Sequence, residues 1–193
     1  METLRRETRV EHNRIENTEI MQRVFAADYE LSEYRYLIAR LFGFYRAIEP
    51  HLFTNDADDG IPLICQYKNN LLRCDLEALG ATDRDIELLP ICRDVPCITT
   101  LADRMGVTYV LEGATLGGQL IRRRLLGHFG DQVQPALNFY MAYGTDTGKR
   151  WRRFGIQMAK YFDTDRMDRD QRSAVIWAAK STFKSLDAWL TRA

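Results

Sequence analysis

Apolar residues along this chain recur at three- and four-residue steps rather than in alternation. In LSEYRYLIARLFGFYRAIEPHL, Leu37, Leu41, Phe44 and Ile48 form one stripe, the signature of an amphipathic helix. Ser32 offers an N-cap and Pro50 a stop, so a helix of about twenty residues is expected there. TNDADDGIP combines Asp, Asn, Gly and Pro and reads as a loop. KNNLLRCDLEALG reads as a short helix closed by Gly80, and ICRDVPCITT as a connector. A long helix, interrupted by glycines, is expected from about Thr100 to Gly127. TDTGKRWRRFGIQMAKYF places Trp151, Phe154, Met158 and Phe162 on one helical face. DRDQRSAVIWAAKSTFKSLDAWL keeps Ile176, Ala179, Phe183, Leu186 and Leu190 in register. With no alternating runs, no internal repeat and no low-complexity tract, the pattern predicts a single all-α domain over residues 1–193.

Charge changes this picture little. Lys plus Arg equals Asp plus Glu, 27 of each, and a balanced chain lacks the basic surplus of a general nucleic-acid binder. No run approaches the roughly 18 apolar residues of a membrane span. METLRRETRV is charged and has no apolar signal core, so a cytoplasmic location is expected. Cys65, Cys74, Cys92 and Cys97 contain no C-x-x-C pair, which favours reduced thiols over a zinc site.

Two stretches are chemically unusual. TRVEHNRIEN places His12 and Glu16 one helical turn apart. An exposed i, i+4 pair is the plain explanation; a metal-bound imidazole oriented by a carboxylate is the other. YVLEGATLGGQLI places Gly113, Gly117 and Gly118 in a segment otherwise suited to a helix. Each glycine costs about 0.5–1 kcal/mol relative to alanine in a helix interior. Gly113 and Gly117 share a face, Gly118 lies beside them, and Ala114 adds another small residue. Close helix packing would explain this, and so would a flat ligand lying against bare backbone. GTDTGKR superficially resembles a phosphate loop. It has three residues between its glycines instead of four, and Arg150 stands where Ser or Thr is needed. A di-iron bundle would want Glu-x-x-His pairs on two helices, and the chain has none. A His12 helix facing a glycine helix across a planar cofactor suits haem.

LRRETRVEHNRIEN, followed about a hundred residues later by YVLEGATLGGQLI, resembles the biliverdin-producing haem oxygenases. Of these it looks most like the bacterial, bacteriophytochrome-associated type. YRYLIARLFGFYRAIEPHL, LLRCDLEALG and AAKSTFKSLDAWL extend the likeness over nearly the whole chain. The resemblance implies an all-helical fold with haem between a proximal and a distal helix, haem being both bound group and substrate. By the same resemblance His12 is the iron ligand and Glu16 its hydrogen-bonding acid. Gly113, Gly117 and Gly118 are then the distal glycines. Arg5 and Tyr109 are propionate partners, and Phe183 is an aromatic flanking the haem. One departure stands out: Ala114 occupies a position where mammalian members carry aspartate.

The implied reaction converts haem, O2 and electrons to biliverdin, ferrous iron and CO. The electron donor would be a ferredoxin with its reductase, or ascorbate, and the type resembled would place the reaction in a bacteriophytochrome pathway. Arg122, Arg123 and Arg124, and Lys149, Arg150, Arg152 and Arg153, form basic clusters. They are either solvated helix faces or a basic surface for propionates and an acidic donor. Ala114 motivates an alternative, a haem-binding carrier on the same fold that does not degrade haem. A third reading, a helical interaction module, would use the glycine face to pack a partner helix. His51 and His128 read as surface or capping residues.

Overall fold

A computed structural model describes residues 1–52, 67–162 and 167–192. All regular structure among these residues is helical. Three short N-terminal helices, α1 (Glu2–Glu7), α2 (Arg9–Glu16) and α3 (Glu19–Arg23), lead into α4 (Leu31–Leu52). Then come α5 (Asn69–Ala78), α6 (Asp83–Glu87) and the long α7 (Leu101–Phe129). Two 3-10 turns, Gly130–Ala136 and Gly144–Asp146, precede α8 (Thr147–Phe162) and α9 (Arg169–Thr191). The expected loop TNDADDGIP and Cys65 lie outside the described residues.

The predicted helices form, with shifted ends. Helix α4 starts at Leu31, and Ser32 sits inside its first turn with its hydroxyl donating to Glu30 at 3.1 Å. The capping is done instead by Glu33, which accepts the Glu30 N–H at 2.8 Å and is gripped by Arg23. The helix ends at Leu52, near Pro50 as expected, and Pro50 lies inside its last turn. Gly80 ends α5 as expected, at φ +83°. The Ala81 N–H returns to Leu76 O at 2.9 Å and the Gly80 N–H to Glu77 O at 3.0 Å, a Schellman closure. Helix α7 runs unbroken through its glycines, from a capping box of Thr100 and Asp103. Asp168 and Gln171 form the same device at the start of α9.

Two apolar clusters share α7. One gathers around α4, with Tyr34, Leu37, Phe44 and Ile48 packed against α5 and against Leu111 of α7. The other joins Leu4, Met105, Tyr109, Phe154, Met158, Val175 and Phe183, from α1, α7, α8 and α9. Each fully buried large side chain contributes about 1.5–3 kcal/mol. Helices α7 and α9 cross at Gly106, where an added Cβ would lie 2.5 Å from Val175 O and 2.7 Å from Ala178 Cβ. The glycine there permits backbone contact that any side chain would prevent.

Candidate functional site

Helix α2 is set off from α1 by a bend at Thr8 (φ −98°, ψ 2°), whose hydroxyl donates to Leu4 O at 2.7 Å. A hydroxyl bonded back to the preceding turn loosens a helix at that point. Arg5 and His12 thus lie on separate short helices rather than on one straight helix. The His12 side chain is 54% exposed. Its Nδ1 faces Glu16 Oε2 at 3.7 Å, close enough for charge attraction but too long for a hydrogen bond. Phe183 of α9 stands edge-on to the imidazole, with ring centroids 5.7 Å apart at 81°. Through Phe183, His12 meets the cluster that contains Tyr109. Arg5 is exposed. Tyr109 is buried, with its ring tilted against Trp151 at 6.0 Å.

The glycines of α7 differ from one another. An added Cβ on Gly117 would meet nothing within 4 Å. On Gly113 it would touch only the Trp151 rim, at 3.6 Å, an ordinary contact. Leu116 and Leu120 are exposed at 46% and 60%. Gly113, Leu116, Gly117 and Leu120 recur at three- and four-residue steps, hence on one face. That face carries no polar side chain; it is open at Gly117, bordered by Trp151 at Gly113, and flanked by the two exposed leucines. Gly118 does not belong to it: Gly118 is buried, and an added Cβ would come within 2.8 Å of Tyr140 Cδ1. The Gly118 position therefore has a packing reason of its own. Ala114 is exposed and brings no polar group.

Behind the glycine segment lies a buried ion pair. Lys68 Nζ donates to Glu112 Oε1 at 2.5 Å, and Tyr143 OH donates to the same oxygen at 3.0 Å. Glu112 therefore turns into the molecule, and Thr115 follows, donating its hydroxyl to Glu112 O at 2.6 Å.

The family model described as Heme oxygenase matches residues 1–192. The chain belongs to the haem oxygenase family. No curated protein matches it closely enough to name as a relative. The donor set suits the haem that this family takes as substrate. An imidazole whose Nε2 makes no hydrogen bond among the described residues is the right ligand chemistry for iron. The rungs at Gly113 and Gly117 carry no side chain, which leaves their backbone accessible to a flat ligand beside the apolar Leu116 and Leu120.

The basic clusters of this haem oxygenase family member differ in their surroundings. Arg124 reaches into the molecule, donating to the backbone carbonyls of Val24, Phe25 and Ala26 at the end of α3. It is a strut rather than part of a solvated face. His128 likewise ties α7 to Tyr29 O at 2.8 Å, while His51 is exposed. Lys149, Arg150 and Arg153 remain exposed and line a cavity of about 400 Å³ with Phe154 and Gln157. Sequence reasoning missed Leu116, Leu120 and Trp151 as neighbours of the glycines. The exposed leucines could have been found from their i, i+4 spacing beside Gly113 and Gly117. The Lys68–Glu112 pair left no such signal, because its members lie on different elements.

Proposed function

We propose that this protein is a haem oxygenase that cleaves haem to biliverdin, ferrous iron and CO, acting as one domain in the cytoplasm. The observation that carries this reading is the family match over residues 1–192. Haem, O2 and electrons supply the redox chemistry, and haem is the substrate consumed. His12 is the iron ligand, through Nε2. Glu16 closes on Nδ1 from its present 3.7 Å and fixes the imidazole's tautomer and plane. Phe183 limits the ring's rotation by its edge contact. Gly113 and Gly117 leave room for a small ligand and bring backbone close to it. Gly118 keeps that segment seated on Tyr140. Arg5 and Tyr109 are the propionate partners. Electrons come from a ferredoxin and its reductase, or from ascorbate, and the product suits a bacteriophytochrome pathway.

A second reading, a carrier that binds haem without degrading it, is favoured by Ala114, whose methyl group cannot order water at the glycine face. One experiment separates the two. Haemin added to the purified protein should give a sharp Soret band that His12→Ala abolishes. With a reductant, O2 and catalase, loss of that band with appearance of biliverdin identifies the enzyme. A stable band under the same conditions identifies the carrier. No His12-dependent band at all would overturn both.

A further inference from the structure

Glu112 is the last residue before the glycine rungs, and only 4% of it is exposed. One of its oxygens takes both Lys68 Nζ and Tyr143 OH, and its backbone carbonyl takes the Thr115 hydroxyl. Lys68 is fully buried. Its backbone N–H and that of Asn69 both donate to Glu49, at 2.7 Å and 3.0 Å. This locks the start of α5 to the last turn of α4. Tyr143 is covered in turn by the Arg150 guanidinium, 4.5 Å from its ring centroid. The point where the glycine segment begins is thus held from α4, from α5 and from the approach to α8.

Stability alone is a weak reason for such an arrangement. A buried ion pair recovers little more than its desolvation penalty, and apolar residues of similar volume commonly replace one without loss. What it does provide is a single geometry, since one carboxylate oxygen with two fixed donors has few alternatives. The segment that follows needs such definition. Gly113, Gly117 and Gly118 weaken helix rigidity, and the Thr115 hydroxyl competes for a helix carbonyl. At Gly117 nothing lies within 4 Å of an added Cβ, and at Gly113 only the Trp151 rim does, so little side-chain packing holds that face in place. Gly113, Ala114, Leu116, Gly117 and Leu120 carry no polar side chain, so the polar groups they can offer across that face are those of the backbone.

We propose that Lys68 and Tyr143, acting through Glu112, are positioning residues that set where the backbone of Gly113 and Gly117 stands. The proposal rests on the reading of that face as the haem-facing one.

The test uses the full chain with two variants, Tyr143→Phe and the paired Lys68→Met/Glu112→Leu, whose apolar fill guards against unfolding. Backbone hydrogen exchange over Gly113–Gly118 is measured without haem, alongside the melting temperature. The C–O stretch of the ferrous carbonyl complex is then recorded with haem. The expected result is exchange faster by at least about tenfold in the paired variant, at a melting temperature close to wild type. The carbonyl stretch should shift or broaden while the His12-dependent Soret band persists. Exchange within about twofold of wild type would overturn the proposal. Faster exchange with an unmoved carbonyl stretch would overturn it too, leaving a purely structural strut. If wild type binds no haem, the functional reading fails separately, and the exchange result alone decides whether the node positions the segment.

Discussion

Gly117 and Gly118 are chain neighbours with opposite surroundings, and they should respond oppositely to alanine. At Gly117 the methyl group enters open space. Helix propensity then favours the variant, so Gly117→Ala should stabilise the haem-free protein by about 0.5–1 kcal/mol while weakening haem binding. At Gly118 the methyl group collides with Tyr140, and overpacking should destabilise by about 1–3 kcal/mol. Urea unfolding with a haemin titration checks both. Asp75 offers a second contrast. Its carboxylate accepts the Asn138 and Phe139 N–H groups at 2.7 and 2.9 Å, yet burial pushes it up from 3.8 to about 6. A carboxyl raised on folding contributes stability that is fully present below its unfolded value. That contribution is lost as pH rises through about 6. Wild type should therefore lose ground to Asp75→Asn by up to about 3 kcal/mol between pH 4 and 7. A difference between the two that does not change with pH would contradict this.

At the scale of elements, most helices were legible because one face of each packs on a core and leaves a periodic trace. Phe154, Met158 and Phe162 are buried along α8 as their spacing predicts. The ends were less legible, because caps depend on side chains from other elements, as with Glu33 displacing Ser32 at α4. The bend at Thr8 leaves no trace in hydrophobic pattern, since it turns on a single hydroxyl bonded to Leu4 O. Helix α6, only five residues long, carries too few apolar positions to show a period. The α7–α9 crossing depends on Gly106, a lone glycine whose partners Val175 and Ala178 lie on another helix and so leave no local pattern. Gly106→Ala should cost about 1–3 kcal/mol, visible as a lower urea midpoint. An unchanged midpoint would mean the two helices can separate without loss.

Across the whole molecule, the His12 and glycine stretches were legible because each breaks a local rule, an isolated histidine in one case and helix-interior glycines in the other. The contacts that hold each of them in place were less legible. Phe183 reaches His12 from α9, and Lys68 reaches Glu112 from the start of α5; such long-range contacts leave no periodicity to read. The exposed charges of α8 act at this scale as well. If an acidic donor docks on Lys149, Arg150 and Arg153, reversing Lys149 and Arg153 to glutamate should slow ferredoxin-driven turnover without changing haem affinity. The effect should shrink as salt rises, because exposed charges are screened within about 10 Å at 0.1 M. Equal donor-dependent rates at low salt would rule that surface out.

Trp151 stands with its rim 3.6 Å from where a Gly113 side chain would begin, stacked on Phe154 and tilted against Tyr109. A porphyrin seated on the glycine face would lie within a few ångströms of that indole and absorb its emission. Loading of the site would then be visible as a loss of ultraviolet fluorescence, with no label attached. The other two tryptophans, Trp177 and Trp189 of α9, would supply a background signal to subtract.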